Sequence, residues 1–395
     1  MKLHNILRSA LCLSIFLSTA VSPVRADEKD EKIAAEQKAE EAKKAAETER
    51  KKKEAEIKAQ IPYSFNDVAD KIVIIECKAF DGSSFSGSGF VAKMGEKTYL
   101  FTNQHVILGS ASITFRTISG EALRPQGVEL SIDRDIARLP LPDREGFEIS
   151  EQPQRDELIA VFGNSEGGGV ATELYGKVTD VKPETIAVSA EFVSGNSGSP
   201  VLNDKQQIVG VASYVHFSED EEGEETTKRY CFRLDGSQWA AVNWKKYNEE
   251  YGKEYRETEA LIDSIFEIIL GWGDDPYGYV PSDYKDYDLQ KWAKDHNGMV
   301  NKITRLSEQG SATQKEVDKI NKQISRNINE SAMTLSAFCE RKSKHVSMKL
   351  ESKDLTRFLR NEYENYVGAL KRASETIEEY GQALSERDFF HLIDA

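Results

Sequence analysis

Between Tyr63 and Trp239 the chain is a succession of short apolar runs broken by turn residues. This texture constrains the fold more than any other feature of the sequence. The runs "KIVIIECKAF", "TYLFTNQHVI", "ELIAVFG", "TIAVSAEFV" and "QIVGVASYV" are short and rich in β-branched and aromatic residues. Many short strands at close spacing predict an all-β barrel or sandwich.

Both flanks differ. From Asp27 to Gln60 the sequence is almost entirely Ala, Glu and Lys, with opposite charges recurring four residues apart. These are strong helix formers, and the charge spacing supports a helix. Large apolar residues are nearly absent, so no heptad seam is visible. The segment reads as a solvated helix and semi-rigid spacer ending at Ile61-Pro62, with docking to an envelope partner as the functional alternative. From about residue 240 the pattern turns helical again. Leu261, Ile262, Ile265, Phe266 and Ile269 share one helical face, as do Leu359, Tyr363, Tyr366 and Leu370. Between the helices, "GWGDDPYGYVPSDYKDYDLQKW" is acidic and aromatic. Hard cations take oxygen ligands, but these carboxylates have no metal-loop spacing, so no metal or cofactor is expected.

The chain begins "MKLHNILRSALCLSIFLSTAVSPVRADEKD". Lys2 and Arg8 precede an apolar run from Ala10 to Val21, and Val24-Arg25-Ala26 has the small-x-small form of a cleavage site. This is the pattern of a secretory signal peptide cut after Ala26. The apolar run is short for a membrane span, which takes roughly 20 residues. The expected organisation is therefore 1–26 signal peptide, 27–60 charged helix or linker, 61–240 β-rich domain and 241–395 helical region, exported to the periplasm or secreted. Loss of the leader removes Cys12 and leaves Cys77, Cys231 and Cys339. Three cysteines make no disulfide framework. Cys77 with Cys231 is the candidate bridge in an oxidising compartment, against the alternative of three small buried hydrophobes. A net charge of −15 lacks the basic footprint of nucleic-acid binding.

The stretch "EFVSGNSGSP", residues 191–200, sets Ser197 among glycines. A serine nucleophile needs a base, a group to orient that base, and donors for the oxyanion formed on attack. Gly195 permits a tight turn, and the amides of Gly195 and Ser197 are the candidate donors. Of six histidines, only His105 and His216 lie in the β-rich segment. His105 follows an apolar strand, where a side chain is held yet exposed. His216 opens into a very acidic loop and reads as a surface residue. "SIDRDIARLPL" offers Asp133 and Asp135. Strand alternation puts Asp135 on one face with Ala137 and Leu139, and Asp133 farther out, so Asp135 is the candidate orienting carboxylate.

"TNQHV", "DIARL" and "GNSGSPV", in the order His, Asp, Ser, together resemble the chymotrypsin-like serine peptidases, especially their bacterial HtrA (Deg-type) branch. The resemblance covers roughly residues 63 to 240, including the loop "VFGNSEGGGVATELYGKVTDV". It implies two packed six-stranded antiparallel β-barrels with the site in the cleft between them. It also implies Ser197 as nucleophile, His105 as general base, Asp135 as its partner, and protein or peptide substrates. By the same resemblance Glu191 lies near the base of the pocket for the residue preceding the scissile bond. A carboxylate there favours Lys or Arg. Ser213 falls on the strand lining that pocket, and Gly167–Gly169 in a loop near the cleft. Asn196 stands where the zymogen-activated branch has an aspartate, so activation by a newly cut N-terminus is not expected. Ser199 replaces a common glycine. No PDZ-like loop follows residue 240, so HtrA-style regulation and trimerisation do not carry over, and the helical regions become the candidates for oligomer or envelope contacts.

The first functional reading is thus an exported serine endopeptidase. The second is a catalytically silent protease-fold scaffold of the cell envelope. A third, an esterase, lacks the strand–elbow–helix context of that class.

Overall fold

A computed structural model describes residues 26–150, 152–164, 171–193, 195–219, 225–274, 279–308 and 314–385. The signal-peptide stretch 1–25 and the Gly167–Gly169 loop lie outside the described residues. The chain divides into two compact units. The first comprises residues 26–253 together with Thr356–Phe358; the second comprises Glu254–Leu355 and 359–385.

The apolar runs form strands, as the sequence predicts. β1 (Ile72–Ala79), β2 (Ser84–Met94), β3 (Lys97–Thr102), β4 (Ser110–Thr117), β5 (Ala122–Leu123), β6 (Val128–Ser131) and β7 (Ala137–Pro140) come first. β8 (Leu158–Asn164), β9 (Ala171–Val181), β10 (Thr185–Val188), β11 (Pro200–Asn203), β12 (Ile208–Glu219) and β13 (Glu225–Phe232) close into a six-stranded barrel. The first set differs from the expected six-stranded barrel. With β14 (Trp239–Val242) it is an eight-stranded sheet in the order β14-β6-β7-β3-β2-β1-β4-β5. The extra strand β14 returns from beyond the barrel to pair with β6, Trp239 opposite Ser131. β5 has two residues, too few to carry a closing ladder, and among the described residues none joins it to β14.

The sheet and the barrel share one core. Phe90, Phe101 and Ile136 pack with Ala160, Phe162, Leu202 and Val211. Ile159, Val161, Val201, Val209 and Ala212 fill the barrel interior. β8 is therefore buried on both faces, which explains why "LIAVF" is a continuous apolar run rather than an alternating one. Each large side chain so buried contributes about 1.5–3 kcal/mol.

The charged segment forms α1 (Ala26–Lys58), but its last turns are not a free spacer. Ile57 and Ile61 enter the shared core. Lys58 Nζ lies 2.7 Å from Glu173 on β9, and Glu54 Oε1 accepts from the Tyr175 amide at 3.2 Å. Two isoleucines in a charged sequence are enough to dock one end of a helix whose remaining turns stay polar.

After the one-turn α3 (Trp244–Tyr247) of the first unit, the second unit is helical: α4 (Lys253–Asp274), α5 (Tyr287–Glu308), α6 (Gln314–Lys349) and α7 (Arg357–Ser385), of which the first residue of α4 and the first two of α7 belong to the first unit. The two apolar faces read from the sequence are buried in it. Tyr255 stacks on Tyr366 at 5.8 Å between ring centroids. Trp292 Nε1 donates to Ser331 O at 3.1 Å. No described helix is long and apolar enough to cross a membrane.

Cys77, Cys231 and Cys339 are free and buried, so the candidate Cys77–Cys231 bridge is not formed. Cys77 sits on β1 of the sheet and Cys231 on β13 of the barrel. Burial pushes both the Cys231 and Cys339 thiols up, Cys339 to about 12, and the thiolate is the reactive form. These thiols should therefore resist an aromatic disulfide reagent at pH 8 in the folded protein and react fully in denaturant. Rapid reaction of the native protein at any of the three would contradict the packing.

Candidate active site

β3 delivers the chain into a one-turn helix, α2 (Gln104–Ile107), with Asn103 extended before it. His105 sits on this turn. Asp135 lies in the loop between β6 and β7, two residues ahead of Ala137, rather than on a strand as the alternation suggested. His105 Nδ1 and Asp135 Oδ2 are 2.6 Å apart, and the His105 amide donates to Asp135 Oδ1 at 3.1 Å. The Asp135 side chain is 6 % exposed and the His105 side chain 25 %. A buried carboxylate needs several donors. Ser213 Oγ supplies a third, 3.2 Å from Oδ2. This arrangement holds the imidazole proton on Nδ1 and leaves Nε2 as the basic atom.

Ser197 follows on the loop before β11. Its hydroxyl donates to Ser213 O at 3.3 Å, so one residue of β12 touches both Asp135 and Ser197. Gly195 has φ +93 and Gly198 φ +86, a region open to glycine at little cost. A Cβ on Gly198 would stand 2.0 Å from Ser88 O. Among the described residues, neither the Gly195 nor the Ser197 amide meets an acceptor. Two such donors on one tight loop are what an oxyanion needs.

A family model described as "Trypsin-like peptidase domain" matches residues 87–211, which span His105, Asp135 and Ser197. This segment is similar to trypsin-like peptidase domains. The chain is 26% identical over 163 residues to the serine protease Do-like HtrA of Bacillus subtilis, covering 36% of each chain. It is 30% identical over 144 residues to an uncharacterized protein of Sinorhizobium fredii, covering 33% of this chain and 22% of that one. The chain thus spans about a third or less of the length of these relatives. Among solved structures, a protease from M. tuberculosis in its active form aligns at 17% identity over 45% of this chain and 86% of its own, with a TM-score of 0.36. An HtrA-type protease with a bound tripeptide aligns at 16% identity over 47% and 60%, with a TM-score of 0.34.

Of the residues singled out in the sequence, the fold joins His105, Asp135, Ser213 and Ser197 into one hydrogen-bonded network. Glu191 is not in it. Its carboxylate lies 3.1 Å from Arg50 of α1. Arg229 donates to Phe192 O next door at 3.2 Å. Burial lowers the Arg229 pKa, Glu191 offsets this, and Arg50 adds to the lowering. Asp133 faces Ser131 and the Gln238 amide, away from His105. Asn196 is fully buried; it accepts from the Val193 amide at 3.1 Å and donates to Thr172 Oγ1 at 3.2 Å. Those partners are neutral and ask for no ion pair. Ser199 fits because Gly163 faces it: a Cβ there would come within 1.9 Å of Ser199 Oγ.

Sequence reasoning missed Ser88, Asn103 and Gln104. Asn103 Nδ2 donates to Asp135 O at 2.6 Å. Ser88, in "SGSGF" on β2, staples the Ser197 loop to the sheet. Its Oγ donates to Gly195 O and accepts from the Asn164 amide, both at 2.9 Å; its amide donates to Ser197 O, also at 2.9 Å. The glycines on either side were the available signal, since they let another backbone approach closely. Ser88→Ala removes the hydroxyl that accepts from the Asn164 amide and donates to Gly195 O. It should cost about 1–3 kcal/mol in urea unfolding. A loss under about 0.5 kcal/mol would mean that the staple is not needed.

Proposed function

We propose that this chain is a serine endopeptidase that hydrolyses peptide bonds of protein substrates through Ser197, His105 and Asp135. The single observation that carries the reading is the 2.6 Å contact between His105 Nδ1 and a buried, three-donor Asp135 beside Ser197. In this mechanism the Ser197 hydroxyl turns from Ser213 O toward His105 Nε2. Nε2 takes the proton as Oγ bonds to the scissile carbonyl carbon. The amides of Gly195 and Ser197 hold the resulting oxyanion, and Asp135 stabilises the imidazolium. When the C–N bond breaks, Nε2 gives its proton to the leaving amine. Water, deprotonated by the same nitrogen, then attacks the acyl-enzyme; collapse frees the acid and returns the proton to Ser197. Export to the periplasm or beyond follows from the leader pattern at the N-terminus, and the site requires no metal.

A fluorophosphonate probe tests the reading. Wild type should label, while Ser197→Ala and His105→Ala should not. Peptidase kcat should fall about 10⁴-fold or more in Ser197→Ala and Asp135→Asn. An unlabelled but folded wild type would favour a silent scaffold.

Glu191 is proposed to select Lys or Arg before the scissile bond, through a charge-assisted pair. Arg50 already occupies that carboxylate, so a basic substrate side chain must displace it. Arg50→Ala should raise kcat/KM for Lys and Arg peptides about two- to fivefold over Leu peptides, in keeping with a partly exposed ion pair. Glu191→Gln should erase the preference. Equal cleavage of Lys, Leu and Glu peptides by all three proteins would remove Glu191 from recognition.

A further inference from the structure

Gln104, the residue before His105, is fully buried. Its Nε2 donates to Ser131 O at 2.8 Å and to Arg134 O at 2.7 Å. Both carbonyls belong to the segment that ends in Asp135. The side chain therefore bridges the turn that carries the histidine to the loop that carries the aspartate. Two donated bonds fix which end of the amide is nitrogen, so Oε1 must find a donor elsewhere. It accepts from Thr356 Oγ1 at 2.9 Å, and Thr356 is itself buried. Thr356 comes from far along the chain but belongs to the first unit with Arg357 and Phe358. The Arg357 amide donates to Ile132 O at 2.8 Å, in the same β6–β7 loop. The Arg357 guanidinium pairs with Glu184. The Phe358 ring lies 6.4 Å from the His105 ring, centroid to centroid. At the other end of α2, Asn248 Oδ1 accepts from the Gly109 amide at 2.7 Å and Asn248 Nδ2 donates to Ser110 O at 2.6 Å.

We infer that Thr356 is a positioning residue of the active site: its hydroxyl locks Gln104 and, through it, the relative placement of His105 and Asp135. The inference rests on the reading of His105 and Asp135 as the base and its partner. A peptidase domain ending near residue 240 would lack this hydroxyl. The segment 356–358 is then part of the catalytic apparatus rather than an appendage. The effect should fall on turnover, because a displaced base changes the geometry of attack and not the substrate's backbone contacts.

The test compares Thr356→Ser with Thr356→Ala in the full chain. Both variants lose the methyl group, and they differ only in the hydroxyl. Folding is followed by circular dichroism and Tm, and fluorophosphonate labelling by its rate. Thr356→Ser should keep kcat within about twofold, whereas Thr356→Ala should lower kcat and the labelling rate about tenfold, with KM within about twofold, since small misplacements near the chemistry cost this much or more. Thr356→Val, which keeps the volume, should behave like Thr356→Ala. Equal kcat in the Ser and Ala variants overturns the inference while leaving the peptidase reading intact. So does a loss confined to KM. A folded wild type that never labels overturns both.

Discussion

The organisation of the first unit depends on one buried carboxylate. Asp135 is removed from water, and a lone charge there would be costly. It is satisfied by the His105 imidazole, the His105 amide and the Ser213 hydroxyl. The first two come from the turn after β3 in the sheet and the third from β12 in the barrel. Sheet and barrel must therefore meet in one register for the charge to be tolerated. Ser88 joins them a second time, tying β2 to the Ser197 loop. The shared core of Phe90, Phe101 and Phe162 supplies the non-directional part of the same contact. The polar bonds select the register; the apolar area supplies most of the stabilisation.

The two ends of the first unit act on the site region in different ways. α1 brings a cation to Glu191 and docks through Ile57 and Ile61. Segment 356–358 brings a hydroxyl to Gln104 and a ring beside His105. Neither is a strand of the sheet or the barrel. A charge pair at partial exposure is easily exchanged, which suits the substrate-selecting role proposed for Glu191. A hydrogen bond between buried side chains is not, because breaking it leaves an unpaired acceptor out of water. The first kind of contact fits selection and the second fits fixed geometry.

Much of this was legible in the sequence. Short β-branched runs separated by turns gave the strands, because period and propensity are local properties. The apolar faces of α4 and α7 were readable for the same reason, and Tyr363, Tyr366 and Leu370 are buried. His105, Asp135 and Ser197 stood out by residue type and order. The eight-stranded sheet was not legible. β14 joins β6 by backbone hydrogen bonds, and a strand's sequence does not name its neighbour. The docked end of α1 was missed because two isoleucines weigh little against some thirty polar or small residues.

Residue type and order were enough to pick out the groups able to do chemistry: a serine in a glycine turn, a histidine after a strand, an aspartate before one, and an asparagine unable to form an ion pair. Those are properties of side chains and their immediate neighbours. What surrounds them depends on the fold. It put Arg50 on Glu191, Ser213 between Asp135 and Ser197, and Thr356 on Gln104 across 252 residues of chain. Such partners are chosen by the need of each buried polar group for a complement, and that need is met wherever the fold brings one, at any distance along the chain.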